Sequence, residues 1–144
     1  MKRFQFALDR VRHWRAEQAA GEELKLRQLR DREAGLAAER RQVALDRARS
    51  EQDVLGQSSI AASEVQNLEA YRRYAANQIR DIELRERQCQ EQIREQRQKV
   101  IEARQKAELL ERLKQKAWDR WRAASEREEE SLAAELYLAK RARR

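Results

Sequence analysis

Few side chains in this sequence are of types that do chemistry, and those few stand alone. There is one histidine, His13, and one cysteine, Cys89. Neither has the neighbours that a metal site or an activated nucleophile requires. No glycine-rich phosphate loop is present. The carboxylates are spread along helical faces in Glu-to-Lys/Arg pairs four residues apart: Glu23–Arg27, Glu83–Arg87, Glu95–Lys99, Glu102–Lys106 and Glu108–Arg112. Each such pair contributes only about 0.2–0.5 kcal/mol to a solvated helix. No catalytic residue, cofactor, metal or small-molecule substrate is expected. Cys89 reads as a small buried apolar residue, and His13 as a solvated residue on a basic surface. The aromatics say more. Trp118 and Trp121 either close an apolar seam against Phe4 and Phe6 or keep one face open as an anchor for a partner. Tyr71 and Tyr74 either pack at the edge of a seam, the preferred reading, or form a patch for a second partner.

What positions these residues is helix. The chain has no proline and three glycines in 144 residues, and 41% of it is charged. Strong helix formers in that proportion indicate a long helix or coiled coil. In the second half, stepping three and four residues from Val65 visits Leu68, Arg72, Ala75, Ile79, Ile82, Glu86, Cys89, Ile93, Gln96, Val100, Ala103, Ala107, Leu110, Lys114, Ala117, Trp121 and Ala124. Only Arg72, Glu86, Gln96 and Lys114 among these are polar. Such unbroken heptad phase is a coiled-coil seam. Beyond Ala124 the phase slips, and Leu132, Leu136 and Ala139 continue a weaker stripe. The first half is looser. Phe4, Leu8 and Val11 open a stripe, and a four-residue insertion shifts it to Ala19, Leu26, Leu29, Leu36, Val43 and Val54. Helix 1 is therefore expected to be the softer partner.

Between the halves, Gly56 suits a left-handed helix cap, and Ser63 with Gln66 matches a capping box. Two chain paths fit, an uninterrupted helix and a hairpin, and the stop–loop–start pattern favours the hairpin. The expected fold is all-α, a single domain over 1–144: an antiparallel two-helix coiled coil with helix 1 at about 3–55, a loop at about 56–62, and helix 2 at about 63–141. At about 1.5 Å per residue the helices are roughly 80 and 120 Å long, so helix 2 extends past helix 1 by roughly 35–40 Å. Facing residues should have numbers summing to about 118 or 119. Val43 then meets Ala75, Leu36 meets Ile82, Leu29 meets Cys89, Leu26 meets Ile93, and Val11 meets Ala107. The polar seam residues also find partners: Arg72 faces Asp46, Glu86 lies beside Arg32, and the stem of Lys114 lies along Phe4. The core then comprises Leu26, Leu29, Leu36, Val43, Val54, Val65, Leu68, Ile82, Cys89, Ile93, Val100, Leu110 and Trp121.

The formal net charge is +7, and it is unevenly placed. Residues 1–15 hold Lys2, Arg3, Arg10, Arg12 and Arg15 against Asp9, and residues 136–144 hold Lys140, Arg141, Arg143 and Arg144. The long middle is nearly balanced. Basic ends attract acidic partners, but the balanced middle offers no stripe that tracks a phosphate backbone, so nucleic acid is not expected. No apolar run is long enough to span a bilayer, and no apolar signal core follows the basic N-terminus. A lone cysteine fits a reducing, cytoplasmic compartment.

The pattern Phe4-x-Phe6-x-Leu8-x-x-Val11, followed by Arg15 and Glu17, resembles the start of the flagellar FliJ family. The mid-chain loop, Val65, Leu68, Tyr71 and Ile79, then Leu110-x-x-Leu113-Lys114-x-Lys116, the acidic run Glu126 to Glu130, and Ala134-Glu135-Leu136 before a basic tail extend the resemblance over nearly the whole chain. Many members have an Asp-Glu pair where this chain has Ala134-Glu135. The resemblance implies a non-enzymatic component of the bacterial flagellar type III export apparatus, an antiparallel coiled coil similar to the γ subunit of rotary ATPases. It implies a cytoplasmic protein peripherally associated with the inner membrane at the flagellar base. Its implied partners are the export ATPase hexamer, the cytoplasmic domain of an export-gate membrane protein, and export chaperones. By the same resemblance, the ATPase ring is met by Phe4, Leu8, Val11, Arg15, Glu135, Lys140, Arg141, Arg143 and Arg144, and the export gate by Tyr71, Ala75, Ile79 and Ile82. Two alternatives share the fold: the stalk protein of a virulence-type secretion system, and a generic coiled-coil scaffold that self-associates without an ATPase.

Overall fold

The computed structural model describes residues 2–144 and is an all-α helical hairpin. Helix α1 runs Asp9–Leu55 and the longer α2 runs Ala62–Ala142. The expected start of helix 1 near residue 3 is corrected: residues 2–8 precede the helix. The first helical bond is donated by the Arg12 amide to the Leu8 carbonyl at 2.9 Å, after a turn in which the Asp9 amide meets the Phe6 carbonyl at 3.1 Å. Asp9 then places a carboxylate in the first turn, where the helix dipole favours negative charge.

At the loop the expected caps are replaced by simpler ones. No described glycine has positive φ, so Gly56 is not a left-handed cap. Its amide instead extends α1 by donating to the Gln52 carbonyl at 2.9 Å. A Cβ at Gly56 would lie 2.7 Å from that same carbonyl oxygen, which is closer than real Cβ contacts. Gly56→Ala should therefore destabilise the turn by about 1–2 kcal/mol, read as a lower thermal midpoint by circular dichroism. At the start of α2 the Ala61 carbonyl accepts from the amides of Glu64 and Val65, at 3.1 and 3.3 Å. The helix thus starts one residue early, and Ser63 sits inside its first turn rather than capping it.

The chain divides into two compact units, each with segments of both helices. The unit Glu22–Val100 holds the loop and the best-buried core. There Leu36, Ile82, Cys89 and Ile93 form a cluster, with Leu26, Leu29 and Val43 packed against it. The Cys89 thiol donates to the Leu29 carbonyl at 3.4 Å, as the expected register requires. Gln96, also buried, donates to the Glu22 carbonyl at 3.0 Å and to its carboxylate. The second unit comprises Met1–Gly21 and Ile101–Arg144. In it Leu110 is buried, and Trp121 is half-buried.

The seam of α2 keeps its expected phase from Leu68 to Trp121, every position on it being buried or half-buried. Two ends differ. Val65 is 44% exposed, and Glu64 turns inward beside Leu68 and Tyr71 instead. Counting back from Leu68 along a straight helix, four residues place Glu64 about 40° from the seam and three place Val65 about 60° from it, so Glu64 is the nearer of the two. At the other end Ser125 is buried rather than Ala124.

The expected break in α1 is also corrected. Positions 12, 15, 19, 22, 26, 29, 33, 36, 40, 43, 47, 50 and 54 alternate three and four apart without interruption, and all are buried or half-buried. Many of them are charged: Arg12, Arg15, Glu22, Glu33, Arg40 and Arg47. Arg12 takes the place assigned to Val11, which is exposed and cannot meet Ala107 in the seam. Following apolar residues alone made an unbroken phase look stuttered.

Gln96 pairs straight across with Glu22, but the other polar seam residues reach partners displaced along the helices. Arg72 donates to Glu51 at 3.0 Å and to Glu69 at 2.8 Å, while Asp46, its expected partner, accepts from Gln42 at 2.9 Å. Glu86 lies 3.3 Å from Arg40 rather than beside Arg32. Lys114 points its ammonium at Asp9, 3.6 Å away, while its stem shares a groove with Phe4. Long side chains can reach a helical turn away from their own level, which a rule of facing residues does not capture. Arg47 joins Arg72 on Glu51 at 3.1 Å, and both guanidiniums hold that carboxyl below its ordinary value of 4.5. The hydrogen bond from Gln96 lowers Glu22 in the same sense. A carboxyl with a lowered folded-state pKa stabilises the fold above its unfolded value and loses that contribution as pH falls through the folded one. The thermal midpoint should therefore drop as pH is taken from about 5 to below 4, and Glu51→Gln should flatten that dependence.

Candidate functional site

The unit containing Met1–Gly21 and Ile101–Arg144 carries most of the residues singled out from the sequence. Its first feature is the segment before α1. Phe4 sets its ring edge-on to Trp118, with centroids 5.1 Å apart and planes at 88°, and lies 5.8 Å from Trp121. The two indoles are 5.0 Å apart. The Trp121 indole N–H donates to the Lys2 carbonyl at 3.2 Å. Edge-to-face aromatic pairs contribute about 0.5–1.5 kcal/mol beyond their burial, so this cluster ties an irregular segment to α2. Trp121 is half-buried in the cluster, and Trp118, though packed on Phe4, stays 38% exposed.

Around the start of α1 lies a charged knot. Arg12 donates to Asp9 at 2.9 Å and to Glu111 at 2.8 Å. Asp9 also lies 3.4 Å from the His13 ring and 3.6 Å from the Lys114 ammonium. The hydrogen bond from Arg12 is the main reason the Asp9 carboxyl sits below its usual range. The knot fixes the entry to α1 across to α2. Leu8, Val11 and Trp14 point outward, each more than two-fifths exposed, and the Arg15 guanidinium stacks over Trp14 at 4.6 Å. Sequence reasoning passed over Trp14, Asp9 and Glu111. The spacing of Leu8, Val11 and Trp14 was the available signal for an outward apolar face.

The second feature is the end of α2. Every residue from Glu126 to Arg144 is exposed. Glu135, Lys140 and Arg141 lie there on a helix continuous to Ala142, and Arg143 and Arg144 follow its end. The acidic stretch 126–135 holds Glu126, Glu128, Glu129, Glu130 and Glu135 against Arg127, and residues 136–144 hold four basic side chains and no acid. Leu132 and Leu136 stand 59% and 64% exposed among them. The structure brings Phe4 and Arg12 onto α2 between Glu111 and Trp121, whereas the basic tail lies further along the helix and is uncovered.

The residues assigned to a second partner lie in the other unit. Ala75 and Ile82 are sealed inside the seam, and Ile79 and Tyr71 are half-buried. Tyr74, which is exposed, stacks near Tyr71 at 6.4 Å and accepts a hydrogen bond from Gln78 at 2.9 Å. Tyr71 borders an open groove of about 390 Å³ with Val54, Glu64 and Leu68. Among the described residues no helix is long and apolar enough to cross a membrane, and no group of three or more His, Cys, Asp or Glu side chains is placed to hold a metal ion. Comparison with protein-family models, with characterised proteins and with solved structures finds no match to this chain.

Proposed function

We propose that this chain is a non-enzymatic stalk of the bacterial flagellar type III export apparatus. In this reading it binds the export ATPase hexamer, promotes its assembly and activity, and links it to the export gate and to export chaperones. It works in the cytoplasm, peripherally at the inner membrane of the flagellar base. One observation supports the reading most: α2 ends in an uncovered stretch that carries Lys140 and Arg141 on the helix and Arg143 and Arg144 just past its end. A basic helical end suits an acidic ring lumen, with steering that weakens as salt rises. The outward face of Leu8, Val11 and Trp14 and the exposed part of Trp118 supply apolar contact in the same unit. Tyr71 and Ile79 carry the gate contact, because Ala75 and Ile82 reach no surface.

The test is ATP hydrolysis by the cognate export ATPase at limiting concentration, with and without this chain, at low and moderate salt. Stimulation should appear with more ring assembly. Changing Lys140, Arg141, Arg143 and Arg144 to glutamate should weaken it by about tenfold or more. Tyr71→Ala with Ile79→Ala should weaken gate binding and leave the ATPase effect intact. No stimulation and no co-elution at low salt would overturn the proposal.

A further inference from the structure

The uncovered end of α2 has a property that binding to a ring does not use: it is complementary to itself. Ser125, Glu129, Leu132, Leu136, Ala139 and Arg143 are spaced alternately four and three apart. That is a heptad stripe, and beyond Ser125 it is wholly exposed. Four of the end's five acidic residues precede the two leucines, and four of its five basic residues follow them. An antiparallel copy reverses that order and sets acid against base.

We propose that two copies of this chain pair through the exposed residues 126–142 of α2 as an antiparallel two-helix coiled coil about a two-fold axis level with Ala134. Facing seam residues then have numbers summing to 268. Leu132 meets Leu136 of the second copy twice, and Glu129 meets Ala139; Ser125, buried within its own chain, stays outside the interface. On one flank Glu126 faces Lys140. Sliding by a heptad in one direction sets Leu132 against Glu129, and in the other sets Leu132 against Arg143, so neither slide keeps the leucine layers. Parallel pairing would align the acidic stretches with each other and the basic stretches with each other, which is repulsive. The register has one unfavourable pair: Glu135 meets its own copy beside the axis. The interface is isologous, as closed dimers require. At fewer than three heptads it is short, so the dimer is weak and depends on concentration and salt. This inference does not rest on the export reading, and either can fail alone. If both hold, the tail is shared between a second copy and the ring.

The test uses the full chain. Its mass by sedimentation equilibrium should rise from the 17.2 kDa of one chain toward twice that with concentration at low salt. Lys140→Glu and Glu126→Lys should each weaken association about three- to tenfold, and their mixture should restore it. Glu135→Gln should strengthen it. These positions are exposed, so helicity should not change. For geometry, Glu129→Cys and Ala139→Cys chains, mixed and oxidised, should form a disulfide between unlike chains, and neither should crosslink to itself; the native Cys89 is buried and stays out of the reaction. A single-chain mass at every concentration would overturn the proposal. So would self-crosslinking of each variant, which means parallel pairing, or dimers that ignore the charge changes, which means another surface.

Discussion

Ile82→Ala should cost about 2–4 kcal/mol and lower the thermal midpoint by roughly 5–15 °C. Ile82 is 0% exposed and sits between Leu36, Cys89 and Ile93 in the core cluster. Two helices share one thin seam, so no third element can move in to fill the cavity. Val65→Ala is the control. It stands on the same heptad stripe in the sequence, but Val65 is at the surface of the first turn of α2, and its truncation should change stability by less than about 0.5 kcal/mol. Thermal melts followed by circular dichroism separate the two. Similar losses for both would mean that Val65 is in the seam after all.

The second large effect is expected at Phe4. Phe4→Ala removes the ring that both tryptophans pack on, at a cost of about 1–3 kcal/mol. The consequence is local. Trp118 and Trp121 gain solvent, so tryptophan emission should shift to the red and become easier to quench. Trp14 is already half-exposed and contributes a constant background. The core around Ile82 belongs to the other unit and should melt nearly as before. A substitution that leaves the emission unchanged would argue against the cluster, and Phe4→Leu should recover part of the signal.

How far the sequence reveals this architecture depends on what fills each seam. In α2 apolar residues fill it, and its phase from Leu68 to Trp121, the hairpin path and the pairing of Leu29 with Cys89 were all legible. In α1 the alternate positions hold Arg12, Arg15, Glu22, Glu33, Arg40 and Arg47. Their polar heads reach solvent or a partner while their stems cover the seam, so an apolar pattern search lost the phase there and preferred Val11 to Arg12. The start of α1 was missed because Phe4, Phe6 and Leu8 mimic a helical stripe, while the docking of Phe4 on two tryptophans more than a hundred residues away leaves no local mark. At the candidate site the basic tail was visible from composition. That it is uncovered followed from comparing helix lengths, but the sealed positions of Ala75 and Ile82 required the packing itself.

The burial of Cys89 has a practical consequence. It is the chain's one thiol, it is 2% exposed, and its S–H points at a backbone carbonyl of the opposite helix. An alkylating reagent can reach it only when the two helices part around it. The rate of labelling is therefore a clock for how often the hairpin opens, and it needs no introduced probe. Any partner that grips the closed hairpin should slow that clock, and any that pries the helices apart should speed it.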